Sequence, residues 1–175
     1  MKQTELAYIA GVMDSDGYFT IKRSTYWVRN SHRQSANPCY YERCGIKQVQ
    51  PEAVQLIKKL FGGYYRIEKA TSKNGKKLHS LQLANLKAHI FVQTIYPYLK
   101  IKKKQANILL KLRKSLNKGK TKPVTVRQKL RWGQTVTMRR WGVADKEIIY
   151  REALIKKIKL LNDSRNDPKH QPLPW

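Results

Sequence analysis

Two carboxylates, two residues apart, close the run Ala7-Tyr8-Ile9-Ala10-Gly11-Val12-Met13-Asp14-Ser15-Asp16-Gly17, and the β-prone Tyr18-Phe19-Thr20-Ile21 follows at once. The pattern puts Asp14 and Asp16 near a helix C-terminus. Aligned peptide dipoles leave about half a negative charge there, and an exposed acid costs about 0.3–1 kcal/mol. A divalent cation would reverse that cost, because carboxylate and helix-end carbonyl oxygens are the hard ligands magnesium prefers. Spaced by two, the acids point in different directions: one can serve a metal while the other takes solvent or a capping bond. The plainer alternative, Asp-Ser-Asp-Gly as a helix stop, fits less well with the long apolar lead-in and the immediate strand.

Other metal chemistry finds little support. Cys39 and Cys44 lack Cys-x-x-Cys spacing, and His32, His79, His89 and His170 are unpaired in sequence, so a four-ligand zinc site is not expected. Both cysteines read as free thiols in a reducing compartment. No signal peptide and no apolar run of about 20 residues is visible, so the expectation is an intracellular protein that is neither secreted nor in a membrane.

The chain of 175 residues carries 37 Lys and Arg against 11 Asp and Glu, a net charge of +26. Such a charge opposes compaction and self-association unless a polyanion neutralises it. Nucleic acid is the expected partner, with binding that weakens steeply in salt. Charge alone would also suit a packing protein without an active site. At 41% hydrophobic the chain can bury a true core, and one compact domain is the simplest division.

The elements that must position the acids follow from periodicity. Thr4 to Met13 reads as a helix capped by Thr4, with Leu6, Ile9, Ala10 and Met13 at helical spacing. Gly11 inside it costs up to about 1 kcal/mol against alanine, which suggests that Ala10 and Gly11 admit another backbone closely. Tyr18 to Arg23 alternates as a strand, Thr25 to Pro38 reads as a polar loop, and Tyr40 to Val49 as a second strand whose Tyr41, Arg43 and Lys47 share one aromatic and basic face. A helix from Pro51 stops at Gly62-Gly63. Tyr64 to Lys69 and Leu78 to Leu83 pair about Asn74-Gly75. Helices are expected over Leu86 to Ile95, Lys102 to Leu116, Val124 to Trp141, and Asp145 to Leu161, the last capped by Asp145. The order α-β-β-α-β-β-α, with further helices, predicts an α+β fold with one four-stranded antiparallel sheet.

The segment Tyr8 to Gly17 closely resembles the signature of the LAGLIDADG homing endonucleases. A second segment, Tyr96-Pro97-Tyr98-Leu99-Lys100-Ile101-Lys102-Lys103-Lys104-Gln105-Ala106-Asn107, is similar to that of the single-motif homodimeric members. The resemblance covers roughly residues 4 to 116. It implies the αββαββα fold with a saddle-shaped sheet, and a C2 homodimer joined through Ala10, Gly11 and Asp14 of the motif helices. It also implies Asp16 and the Ser15 carbonyl as ligands of Mg2+, with Mn2+ substituting and Ca2+ binding without cleavage. Gln50 would organise water and Lys102 would stabilise charge or activate solvent, so Asp16, Gln50 and Lys102 form the implied catalytic set. Tyr18, Thr20, Lys22, Ser24, Tyr41, Arg43, Lys47, Tyr64, Arg66 and Glu68 fall on positions that contact DNA in relatives. Arg139 and Arg140 belong to a basic C-terminal stretch expected to add phosphate contacts.

The implied activity is hydrolysis of both strands of a long, near-palindromic duplex DNA, promoting the spread of an intron. The alternatives are an intron RNA maturase on the same scaffold and a non-catalytic DNA-binding regulator. The expected division is an endonuclease core over 1–117, a basic helical extension over 118–163 and a tail over 164–175.

Overall fold

The computed structural model describes residues 1–24, 38–69, 75–119, 122–129 and 133–163. Most of the expected polar loop, Asn74 of the expected turn and the tail over 164–175 lie outside the described residues. Helix α1 (Gln3–Ser15) opens the chain. Its first turn is closed by Glu5, whose carboxylate accepts the Lys2 backbone N–H at 3.0 Å; Thr4, the expected cap, lies inside the helix. Strands β1 (Gly17–Ser24) and β2 (Cys39–Gln48) follow, then α2 (Glu52–Phe61), β3 (Tyr64–Glu68), β4 (Leu78–Ala84) and α3 (Asn85–Ile95). A single 3-10 turn over Tyr96–Tyr98 leads to α4 (Lys103–Asn117), and β5 (Lys122–Lys129), β6 (Thr135–Gly142) and α5 (Asp145–Asn162) complete the order.

The first four strands form one antiparallel sheet in the order β1-β2-β4-β3. Its strands alternate as half-buried strands must. Phe19, Ile21, Cys44, Ile46, Leu81 and Leu83 are buried and face the helices. They join Ile9 and Met13 of α1, Val54 and Ile57 of α2, Phe91 and Val92 of α3, and Leu109 and Leu112 of α4 in one core. This is the α+β architecture expected, with the αββαββα order intact.

Helix α5 belongs to the same core through Leu154, Ile155 and Ile158. Its buried Arg151 donates to the Ser115 hydroxyl and carbonyl at the end of α4, both at 2.8 Å. Tyr40 of β2 donates to Glu152 at 2.5 Å. Burial and that carboxylate push the Tyr40 phenol up to about 12. Ala144 is the N-cap of α5 and Asp145 its first residue, so Asp145 does not take the capping position expected of it.

The helix expected over Val124 to Trp141 is a β-hairpin. β5 and β6 pair antiparallel from Lys122↔Gly142 to Lys129↔Thr135. The β-branched residues Val124, Thr125, Val126, Thr135, Val136 and Thr137 favour extended backbone, and Gly133 supplies a φ of 84° before the second strand.

Candidate functional site

The outer face of the four-stranded sheet collects ten of the residues singled out from sequence. Cross-strand rows run Tyr18–Gly45–Gln82–Tyr64 and Lys47–Ser80–Arg66, while Thr20 lies opposite Arg43, Lys22 opposite Tyr41, and Ser24 and Glu68 close two strand ends. Gly45 is required by packing: a Cβ there would meet the Tyr18 hydroxyl at 2.7 Å and the Leu81 carbonyl oxygen. The Tyr18 side chain thereby lies across the middle of the sheet.

Electrostatics on this face are organised by one carboxylate. Glu68 accepts from Lys47 Nζ at 2.8 Å and from Arg66 at 2.7 Å. Lys47 and Arg66 beside it hold the Glu68 carboxyl down at about 2. Arg43 donates to Gln82, but its Nε is buried with no partner among the described residues. An unpaired buried donor costs about 1–3 kcal/mol.

The two motif aspartates have separate surroundings. Asp14, only 8% exposed, is turned inward. Its carboxylate accepts three backbone N–H groups: Lys100 at 2.7 Å and Ile101 at 3.1 Å on Oδ2, and Lys102 at 2.8 Å on Oδ1. Those amides belong to the segment that leads into α4 and ends at its N-cap, Lys102. The cost expected of an acid at the end of α1 is thus offset for Asp14 by amide donors without a metal.

Lys102 returns the exchange. Its ammonium donates to the carbonyls of Met13 at 3.2 Å, Ser15 at 2.9 Å and Gly17 at 2.6 Å. Met13 and Ser15 lie in the last turn of α1, and Gly17 opens β1. Burial lowers the Lys102 pKa, against the opposing pull of Asp14 and Asp16. The end of α1 and the segment leading into α4 are therefore fastened to one another.

Asp16, the C-cap residue of α1, is exposed. Its Oδ2 accepts the Gln48 side-chain amide at 2.7 Å, and among the described residues it forms no ion pair. Gln48 is the glutamine on this carboxylate. The register Gly17↔Ile46 carries the end of β2 past the start of β1 to the end of α1. Gln50 lines the same open cleft, about 470 Å³, together with Asp16, Gln48, Tyr8 and Lys76.

Among the described residues no three His, Cys, Asp or Glu side chains gather into a metal cluster. One chain brings a carboxylate, Asp16, and a carbonyl, Ser15. Carboxylate and carbonyl oxygens are donor types that magnesium takes, with water and substrate phosphates as its other ligands, and here the Ser15 oxygen accepts from Lys102 Nζ.

Of the remaining sequence candidates, Ala10 is buried in the chain's own core, and Gly11 is exposed, with open space where a Cβ would stand. Arg139 and Arg140 lie on β6, in a two-stranded sheet separate from the four-stranded one, opposite Thr125 and Val124. Cys39 is exposed and Cys44 buried, both free, and burial raises the Cys44 thiol pKa. Among the described residues no helix is long and apolar enough to cross a membrane.

Neither a protein-family model nor a curated protein matches the chain in sequence. Solved structures do match in shape. The homing endonuclease I-CvuI, in complex with its target in the presence of Ca, aligns with a TM-score of 0.60 at 17% identity, over 98% of this chain and 87% of that one. The archaeal intron-encoded homing endonuclease I-Vdi141I, complexed with DNA, aligns with a TM-score of 0.59 at 14% identity, over 94% and 87%. The homing endonuclease I-TnaI aligns with a TM-score of 0.53 at 12% identity, over 90% and 95%. The chain has the LAGLIDADG homing-endonuclease fold. At these identities the likeness is one of architecture, and chemistry must be argued from the site.

Proposed function

We propose that this chain is a divalent-metal-dependent, site-specific endonuclease of duplex DNA that acts as a C2 homodimer. The observation that carries the reading is Asp16: an exposed carboxylate, steadied by a neutral amide, at the rim of a polar and cationic sheet face. A twisted antiparallel sheet of this kind suits the DNA major groove, where arginine and lysine read guanine or hold phosphate.

Magnesium held by Asp16 and the Ser15 carbonyl would stabilise the attacking water and leaving oxygen of an in-line displacement at phosphorus. Within the chain, Gln48 fixes the orientation of the Asp16 carboxylate. Lys102 holds the Ser15 carbonyl and sets a positive charge beside the site, where a phosphate would gain negative charge. Gln50 lines the cleft through which solvent reaches Asp16. A second protomer related by two-fold symmetry would supply its own Asp16 for the other strand, so the target would be near-palindromic. The intron-encoded origin of I-Vdi141I favours a target at an intron insertion site.

The test is cleavage of a duplex library with randomised half-sites in Mg2+, by wild type and by Asp16→Asn. Wild type should select and open a set of related sites. The variant should bind them with similar affinity and cut more than about a hundredfold more slowly, as loss of a metal ligand implies. Tight, selective binding by wild type without cleavage would instead establish a DNA-binding regulator.

A further inference from the structure

The β5–β6 hairpin has no counterpart in the seven-element pattern of the sheet and its helices. It stands between α4 and α5, and its strands pair with each other while packing extensively, among the described residues, on no other element. A two-stranded ribbon without such support is at best marginally stable in water. A ribbon of this kind needs a surface to lie against.

Its charge indicates which surface. Lys122, Arg127, Lys129, Arg139 and Arg140 lie within the two strands, and no acidic residue occurs from Lys69 to Ala144. The register sorts the residues further. Thr125 lies opposite Arg139, Arg127 opposite Thr137, and Lys129 opposite Thr135. Directly opposed residues share a face, so one face holds three cations and three threonines. Thr135 and Thr137 on that face are exposed. The alternate register positions hold Val124, Val126, Val136 and Met138 together with Gln128 and two further cations, Lys122 and Arg140.

We infer that this ribbon is a second, separable docking surface for duplex DNA, reaching base pairs outside those covered by the four-stranded sheet. The inference rests on the reading of the chain as a DNA-binding protein. Each strand has eight residues, a length of about 27 Å at roughly 3.4 Å per residue. A two-stranded ribbon enters the major groove of B-form DNA, about 12 Å wide. The deep, narrow major groove of an RNA helix does not admit it, which favours DNA over RNA as the occupant. Arginine, lysine and threonine are suited to phosphate oxygens, so the ribbon adds affinity and register more than base choice.

The experiment compares the full chain with Arg127→Gln/Lys129→Gln/Arg139→Gln. Two duplexes are used, one carrying only the selected central site and one with added flanking base pairs, titrated across a salt series. The variant should bind the long duplex at least about tenfold more weakly near 0.15 M salt. Its salt slope should fall by about 0.9 for each phosphate the variant leaves unneutralised, and binding of the short duplex should be unchanged. Thr135→Lys/Thr137→Lys should move the long-duplex slope the other way, which protects the test from a hairpin that merely unfolds. Equal effects on both duplexes, or none on either, would overturn the inference. So would a larger loss on a base-paired RNA stem than on the long duplex. Cleavage of the short duplex by wild type and by the glutamine variant reports on the endonuclease reading separately.

Discussion

Glu68 is positioned to restrain the two cations it touches. Lys47 and Arg66 are long, flexible side chains, and ordering each costs up to about 2 kcal/mol of rotamer freedom. A shared carboxylate on the same sheet face holds both before DNA arrives. Because its folded pKa lies near 2, below the ordinary value of 4.5, the two ion pairs are intact above the usual carboxylate range. They dissolve only as pH falls through about 2. A carbon-detected NMR titration should therefore show the Glu68 carboxyl still ionised at pH 3.5. Glu68→Gln should bind random duplex several-fold more tightly at low salt with a steeper salt slope, yet discriminate less between sites, as anisotropy titrations would show. Weaker binding to random duplex would refute the restraint. At this scale the sequence was informative where alternation decides: the parity of Tyr41, Arg43 and Lys47 marks the outer face correctly. It was silent about Gln48. That side chain reaches Asp16 only because β2 is registered with Gly17 opposite Ile46, and the polar segment joining the strands does not fix that register from composition.

The junction of α1 and α4 binds the site to the core. Asp14 satisfies three amides of the segment leading into α4, and Lys102 satisfies two carbonyls of the last turn of α1 and that of Gly17. Periodicity located both helices but gave no sign that this contact would form, because its partners lie more than 80 residues apart in the chain. Asp14→Asn presents an NH2 group to at least one of the three amides, leaving a donor unpaired. It should cost about 1–3 kcal/mol, read as a lowered midpoint in urea at unchanged slope. Lys102→Met should cost less, since removing a half-buried ammonium returns part of its desolvation. Variants within about 0.5 kcal/mol of wild type would mean that the junction is fastened by apolar packing alone. The hairpin shows the opposite failure. Its alternation of Val124 and Val126 with Thr125 and Arg127 was present in the sequence, but interleaved cations and tryptophans blur a period of two into one near 3.6. Helix α5 was legible because Ile148, Ile149, Ala153, Leu154, Ile158 and Leu161 keep helical spacing, although Ile149 and Ala153 are exposed and the buried face takes Arg151 and Ile155 instead.

Across the whole molecule, scarce acids are spent on internal fastening: Glu42 on Arg113, Glu68 on Lys47 and Arg66, Glu147 on Ser115 and Lys118, Glu152 on Arg23 and Tyr40. What remains is a cationic exterior that repels its own copies. A symmetric dimer must overcome that repulsion at an uncharged contact, and the outward side of α1 offers one in Ala7, Tyr8, Gly11 and Ser15, all exposed at helical spacing. Gly11 stands at its centre, and within one chain a side chain added there meets nothing within 4 Å. Two consequences follow for Gly11→Leu. The protomer should fold as well as wild type, gaining helix propensity of several tenths of a kcal/mol. The dimer should fail, because two α1 helices could no longer approach closely. Sedimentation without DNA in about 0.5 M salt, where like-charge repulsion is screened to a few ångströms, should find wild type at twice the 20.5 kDa protomer mass and the variant at one. Loss of double-strand cleavage should accompany it, with circular dichroism unchanged. A dimeric Gly11→Leu that still cuts both strands would move the symmetry axis, and the paired Asp16 carboxylates with it, to another face of the protein.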